Sequence, residues 1–390
     1  MSAAPTVVEE IYHAKKGASG WAGWGNCADW EGGGAATIYA ATGSVIHNVS
    51  EICLTSPSKP IDFIGQDFQS DGFTIQFDDK HAEIATSYVE LVQSLHRHIG
   101  GELLVEQTFD LEYITGEPGA KSTLDFAIVP YVKGELTIGD LKTGSGVPVS
   151  AVDNGQLVIY ALLAYDAYSV AADITGVRMM IVQPPLNNVS EWTISIEELE
   201  QWRGRIQAAA QKALAPVREA TPGEKQCRWC SKAATCPALS AQVFEAVEEA
   251  DPSEIATDDL AVAMGKVDMI EGWIKAIRAE TERRLLDGRT VKGFKLVAGK
   301  RGARKWTSES EAETMLKSMR LKHDQLYEYS IISPTTAEKL FKAGSIGERQ
   351  WPKLQSIIVQ SEGKPSVAPE DDKRPALVIE PESFTAVGAE

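Results

Sequence analysis

The spacing of apolar positions changes period several times along the chain, and each change marks an element. Residues 36–54 (ATIYAATGSVIHNVSEICL) repeat apolar side chains at i and i+4, and residues 81–99 do the same, so both stretches predict helices. A polar stretch, 55–80, separates them. Three β-rich runs follow: ELLVEQTFDLEYI (102–114), STLDFAIVPYV (122–132) and ELTIGDLK (135–142). Turn residues divide them, which is the pattern of a meander. Residues 152–170 (VDNGQLVIYALLAYDAYSV) are apolar almost all round and predict a helix buried against the sheet. GVRMMIVQPP and SEWTISI add two further strands, and 196–217 an amphipathic helix.

These elements make residues 1–247 an α/β domain, opened by an irregular stretch (1–35) rich in glycine and tryptophan. The acidic, polar residues 248–259 read as a linker. Beyond it, 260–365 predict a mainly helical domain, and 366–390, with several Pro and Glu, a loosely held tail.

The length of 390 residues, 43% of them hydrophobic, allows a sizeable core in two domains. No run approaches eighteen uncharged apolar residues, and the first residues, MSAAPTVVEEIYHAKKG, have neither a basic region nor an apolar core like those of a secretion signal. The expectation is a cytoplasmic protein without a membrane partner. A net charge of −17 opposes unspecific attraction to nucleic acid, although local patches can still bind it. One such patch is RRLLDGRTVKGFKLVAGKRGARKW (283–306), where Lys295, Lys300, Arg301 and Arg304 are candidate phosphate contacts and Phe294 or Trp306 could stack on a base. Charge balance against neighbouring acidic residues explains the same stretch equally well.

The densest chemistry lies in the middle strands. Asp125 sits within an apolar run, where an ionised carboxylate is costly unless it is paired or ligates a metal. Asp140 and Lys142 end the next strand and, two residues apart, point to the same face. If the two strands pair as a hairpin, both carboxylates converge beside the lysine. Two carboxylates sharing Mg²⁺ or Mn²⁺, with a lysine to orient water or stabilise developing charge, suit phosphodiester cleavage. An isolated D-x-K is usually an exposed ion pair. This one has ordered company: His47 precedes it, and Gln156 and Tyr160, four residues apart on one helix face, follow it. Glu106, one strand before Asp125, reaches either the same cleft or a pairing position on the sheet surface.

The ordered motifs GSVIHNVSE (43–51), STLD (122–125), DLKTG (140–144) and QLVIY (156–160) resemble the RecB-type branch of the PD-(D/E)xK nuclease superfamily, with Ser122 where a glycine is usual. The resemblance spans roughly residues 20–240. It implies a PD-(D/E)xK restriction-endonuclease-like core, a central mixed sheet flanked by helices. It also implies His47, Asp125 and Asp140 as metal ligands, Asp125, Asp140 and Lys142 as the catalytic set, and Gln156 and Tyr160 as support for the active-site strand or for DNA.

Three of the five cysteines form a C-x₂-C-x₅-C run, Cys227, Cys230 and Cys236, and Cys27 lies two hundred residues upstream. Thiolates at this spacing suit zinc or an iron–sulfur centre. One cysteine before the nuclease core and three after it resemble the RecB-like nucleases of the AddB and CRISPR-adaptation type, which implies a [4Fe–4S] cluster, with Zn²⁺ the alternative. Such a cluster would staple the two ends of the domain. Cys53 is left over and reads as core packing.

The function this suggests is a metal-dependent DNA exonuclease of phage recombination or replication, working in a bacterial host with DNA and with a single-strand annealing or single-strand binding protein. That setting comes from a looser resemblance of the late stretch GKPSVAPEDDKRPAL to a phage-borne family of RecB-like proteins. The alternative is a catalytically silent DNA-binding or assembly module on the same fold, against which the complete Asp125, Asp140 and Lys142 argue. A cluster-dependent redox enzyme would need a glycine-rich nucleotide loop after a strand, and a motor would need a Walker A motif. The sequence has neither.

Overall fold

The computed structural model describes residues 14–33, 36–248, 257–295 and 334–355. Its contacts divide the chain into two compact units, 1–297 and 298–390. In the first unit the helices are α1 (Trp21–Trp24), α2 (Ile38–Thr55), α3 (Asp79–Ile99), α4 (Glu112–Thr115), α5 (Gly155–Tyr168), α6 (Ile196–Leu214), α7 (Glu224–Cys227), α8 (Pro237–Glu248) and α9 (Thr257–Leu286). A small hairpin, β1 (Asp67–Ser70) with β2 (Phe73–Gln76), occupies part of the stretch that polarity alone marks as loop. The main sheet comprises β3 (Glu102–Asp110), β4 (Lys121–Val129), β5 (Gly134–Leu141), β6 (Ile174–Gln183) and β7 (Asn188–Ser195).

Strands β3, β4 and β5 form the expected antiparallel meander. The chain then passes through α5 to β6, which runs parallel to β5, and returns antiparallel as β7. The order β3-β4-β5-β6-β7 leaves β5 in the centre. This is a mixed sheet flanked by helices, an α/β core.

The two faces bury separate cores. Leu136, Ile138, Val177 and Met179 pack against α5 and α6, while Phe126, Ile128, Leu141, Met180 and Val182 pack against α2 and α3. Cys53 lies fully buried in the second core, as its lack of a sequence partner suggests. Helix α5 is buried along almost its whole surface because the irregular N-terminal stretch covers the side that the sheet leaves open. Trp21 lies so close over Gly155 that a Cβ there would stand 2.1 Å from the indole nitrogen. The Glu117 carboxylate, itself buried, holds that stretch in place by accepting from the Lys15 and Lys16 amides, each at 2.8 Å.

Helix α9 differs from expectation. It packs against α8 and against the turn at residues 233–235, through Met269, Ile270, Trp273 and Ala276. It is therefore part of the first unit, and the division falls at 297/298 rather than at the acidic residues 248–259, of which 249–256 lie outside the described residues. In the second unit the described residues form α10 (Pro334–Lys342) and α11 (Trp351–Gln355), joined by a parallel stack of Phe341 on Trp351 at 5.0 Å.

Gly139 shows how tightly β5 is held. It pairs with Phe126 across the ladder, and the Phe126 ring lies over it, so that a Cβ would come within 1.9 Å of the ring. Neither the strand nor a fully buried ring can yield at low cost. Replacing Gly139 with Ala is expected to destabilise the first unit by about 1–3 kcal/mol in denaturant unfolding, as overpacking of a core does. A change below about 0.5 kcal/mol would show that the ring moves aside freely.

Candidate active site and cysteine centre

The chemistry of this site starts from the cost of burying Asp140. Its side chain is 3% exposed, at the carboxyl end of the central strand. An ionised group there requires partners. Lys142 supplies one, its Nζ standing 2.7 Å from Oδ2. Gln156 supplies the other, donating from Nε2 to Oδ1 at 2.8 Å while its Oε1 accepts from Lys142 Nζ at 3.0 Å. The Gln156 amide also donates to the Tyr160 hydroxyl, 3.0 Å away. Lys142 and Gln156 thus clamp both carboxylate oxygens, and among the described residues Asp140 Oδ2 accepts no well-aligned hydrogen bond beyond this ion pair. The Lys142 pKa rises: burial opposes the charge, but the Asp140 carboxylate outweighs it.

Asp125 lies across the β4–β5 ladder and accepts from the Leu141 amide at 2.6 Å. Its Oδ2 is 3.5 Å from His47 Nδ1, and Glu106 Oε1 is 3.7 Å from the same nitrogen. Among the described residues, His47, Glu106 and Asp125 form a group of potential metal ligands whose donor atoms lie within 4.8 Å of one another. Two acidic oxygens and an imidazole suit a hard divalent cation. Without one, burial raises the Asp125 pKa, an effect that His47 opposes and that Asp140 and Glu106 reinforce. Burial alone would lower His47, but the charges of Asp125 and Glu106 raise it to about 9.

Strand alternation does not foresee this grouping. The β3–β4 ladder is interrupted where Glu106 faces Asp125, and Glu106 adopts a left-handed φ of 46°. A non-glycine residue in that region is strained, and such strain gathers at functional sites. The kink redirects side chains. Leu124 belongs to the α5-side core and Phe126 to the α2-side core, so alternation is reset at the intervening Asp125. Glu106 thereby stands beside His47 and Asp125, while Asp140, leaving β5 on the α5 side, is held by Lys142 and Gln156.

Two helices complete the geometry. Thr37 caps α2 by accepting from the Ala40 amide. Gly43 lets α2 approach the loop after β5, since a Cβ there would stand 3.0 Å from Thr143 Oγ1, and His47 sits one turn further on. Asn154 caps α5 through the Gln156 and Leu157 amides and sets the position of Gln156. The intervening loop hangs on a residue the motifs do not mark, the buried Gln183 at the end of β6. It donates to the carbonyls of Gly144 and Val147 and accepts from the Val149 amide. Only its place at the carboxyl end of a strand parallel to β5 distinguishes it in the sequence.

The four cysteines meet elsewhere. Cys27, Cys227, Cys230 and Cys236 line one cavity together with Trp30 and Lys232. Backbone amides point at three of the sulfurs: Thr221 to Cys27 at 3.3 Å, Gly223 to Cys227 at 3.4 Å and Leu239 to Cys236 at 3.5 Å. Four thiols with amide donors around them suit a thiolate-bound centre. Around the cavity, Ser231 donates its amide to Glu31 O at 2.9 Å and Lys232 pairs with Asp29 and Glu31 at 2.9 Å, joining the two ends of the domain.

Of the basic stretch, Lys295 and Phe294 are exposed, and Arg283 and Arg284 pair with Glu280 at 2.8 and 2.7 Å. Lys300, Arg301, Arg304 and Trp306 lie outside the described residues. Among the described residues no helix is long and apolar enough to cross a membrane.

A family model described as "Protein of unknown function (DUF2800)" matches residues 13–375. Among solved structures, the crystal structure of SSO0001 is 12% identical over 53% of this chain and 98% of its own, with a TM-score of 0.25. A "Putative exonuclease" from Eubacterium rectale is 11% identical over 55% of this chain and 90% of its own, with a TM-score of 0.28.

The Asp140 clamp yields a direct expectation. Lys142→Met, studied in EDTA, should destabilise the protein by about 2–3 kcal/mol. That is somewhat less than the ~3–5 kcal/mol for a fully buried pair, because the lysine side chain keeps 29% exposure. Adding Asp140→Asn should recover most of the loss, since the stranded charge is then gone. Additive costs in the double mutant would mean that the two side chains do not act as a pair.

Proposed function

The chain belongs to the DUF2800 family of proteins of unknown function, and on that premise we propose that it is a nuclease that hydrolyses DNA phosphodiester bonds with Mg²⁺ or Mn²⁺. The observation that carries this is the juxtaposition of the His47, Glu106 and Asp125 ligand group with the Asp140–Lys142–Gln156 clamp. In this reading the three ligands hold the cation, which would polarise the phosphate and lower the pKa of water. Lys142, a cation kept fully charged by Asp140, stabilises negative charge as it develops on the phosphate or orients the attacking water. Gln156 fixes the lysine so that it needs no reorganisation during the reaction, and Tyr160 fixes Gln156.

Exonucleolytic action in phage recombination or replication, within a bacterial cytoplasm and beside a single-strand annealing or single-strand binding protein, is the finer form of the proposal. Lys295, together with Lys300, Arg301 and Arg304, is its candidate DNA contact. For Cys27, Cys227, Cys230 and Cys236 we propose a structural [4Fe–4S] cluster in preference to Zn²⁺, supported by the four thiols lining one cavity with backbone amides directed at three of them.

Pure protein incubated with end-labelled linear and circular DNA, in Mg²⁺, Mn²⁺ or EDTA, tests the activity: metal-dependent loss of linear DNA alone is the exonuclease outcome. Asp140→Asn and Lys142→Ala should each slow degradation at least about a hundredfold. Wild-type rates in either would remove the clamp from the chemistry.

Anaerobically purified protein should be brown and carry roughly four irons per chain, as a cubane cluster requires. Cys27→Ala should lose the iron as completely as Cys236→Ala. Colourless protein with one zinc per chain would reject the cluster.

A further inference from the structure

The buried face of α3 carries one polar side chain among apolar ones. Ala82, Ala85, Val89 and Val92 surround Tyr88, which is 2% exposed. Its ring stands edge-on to Phe126 at 6.1 Å, directly beside Asp125 in sequence, and α3 packs along α2, the helix of His47. The hydroxyl oxygen is buried and meets no hydrogen-bond partner among the described residues. Buried hydroxyls are almost always bonded, because the lost hydration must be replaced, so an orphan points to a partner the polypeptide does not supply. Burial, and then the negative charges of Asp125, Glu106 and Asp140, keep the phenol protonated and hence a donor.

Resting on the reading of His47, Glu106 and Asp125 as a divalent-cation site, we propose that Tyr88 is a positioning residue of that site: its hydroxyl donates to an oxygen of the loaded site, a carboxylate or a bound water. Carboxylates that ligate a metal are themselves hydrogen-bonded by a surrounding layer of donors, which fixes their orientation. Asp125 has one such donor in the Leu141 amide. Among the buried residues of α3 Tyr88 is the one polar side chain, and the charges of Asp125, Glu106 and Asp140 act on it. No sequence motif marks this residue, since a tyrosine in a helical apolar stripe reads as core.

Tyr88→Phe separates this role from plain packing, because it keeps the ring and deletes only the oxygen. The metal-free variant should melt at the wild-type temperature or above it, since an unbonded hydroxyl has been removed. Its Mn²⁺ dissociation constant, measured by calorimetry and by the electron paramagnetic resonance signal of free Mn²⁺, should rise about 10–100-fold. Unchanged Mn²⁺ affinity would overturn the inference, and so would a metal-free variant that melts markedly lower or fails to fold, since the hydroxyl would then be bonded within the protein. Wild-type protein and Asp125→Asn measured alongside distinguish the two levels. If wild type itself binds no Mn²⁺, the cation site falls and this role with it. If wild type binds and Asp125→Asn does not, a wild-type affinity in Tyr88→Phe rejects Tyr88 alone.

Discussion

A carboxylate sealed into the middle of a sheet is the constraint around which this fold is arranged. Asp140 lies on the central strand, near the end where β5 and β6 run parallel, and at that depth its charge survives only beside a cation and a donor. Lys142 reaches it because both side chains leave the same strand on the same face. Gln156 reaches it because Asn154 starts α5 at a fixed point, and that point is fixed because Gln183 ties down the loop between them. The tight pairing of Gly139 under Phe126 then keeps β4 at the distance that brings Asp125 to the Leu141 amide. Each of these contacts makes sense as a condition for keeping one negative charge buried and in register.

The second group of side chains obeys a different rule. His47, Glu106 and Asp125 sit at the edge of the site, half-buried or nearly buried, and two acids press on one imidazole. A shared proton relieves the repulsion between the acids, and the divalent cation we propose for this group would relieve it better, with release of that proton. The left-handed kink at Glu106 is the conformational cost of assembling the group.

Much of this is legible in the sequence. Periodicity identifies α2, α3, α5, α6 and the five main strands, because each has a long apolar face with a clear repeat. The motif residues His47, Asp125, Asp140, Lys142, Gln156 and Tyr160 do converge. What stayed hidden depended on departures from regularity or on distant partners. Glu106 reads equally as a cleft residue or a pairing position on the sheet surface until the ladder breaks at it. Gln183 and Tyr88 act through contacts made by neighbouring elements, of which their own local sequence carries no trace. Helix α9 has no strong apolar stripe, so its attachment to the cysteine loop rests on a few residues, Met269 and Trp273 among them, that periodicity cannot single out.

The seam between the two ends of the domain has a consequence for how the protein is made. Asp29, Glu31 and Cys27 belong to a segment synthesised early, yet Ser231, Lys232 and the cysteine triplet that meet them emerge some two hundred residues later. On a translating ribosome the meander and its flanking helices can collapse first, because their contacts are mostly near in sequence, while the tryptophan-rich N-terminal flap waits with part of its apolar surface uncovered. Final closure is thus a step that follows synthesis of residue 236.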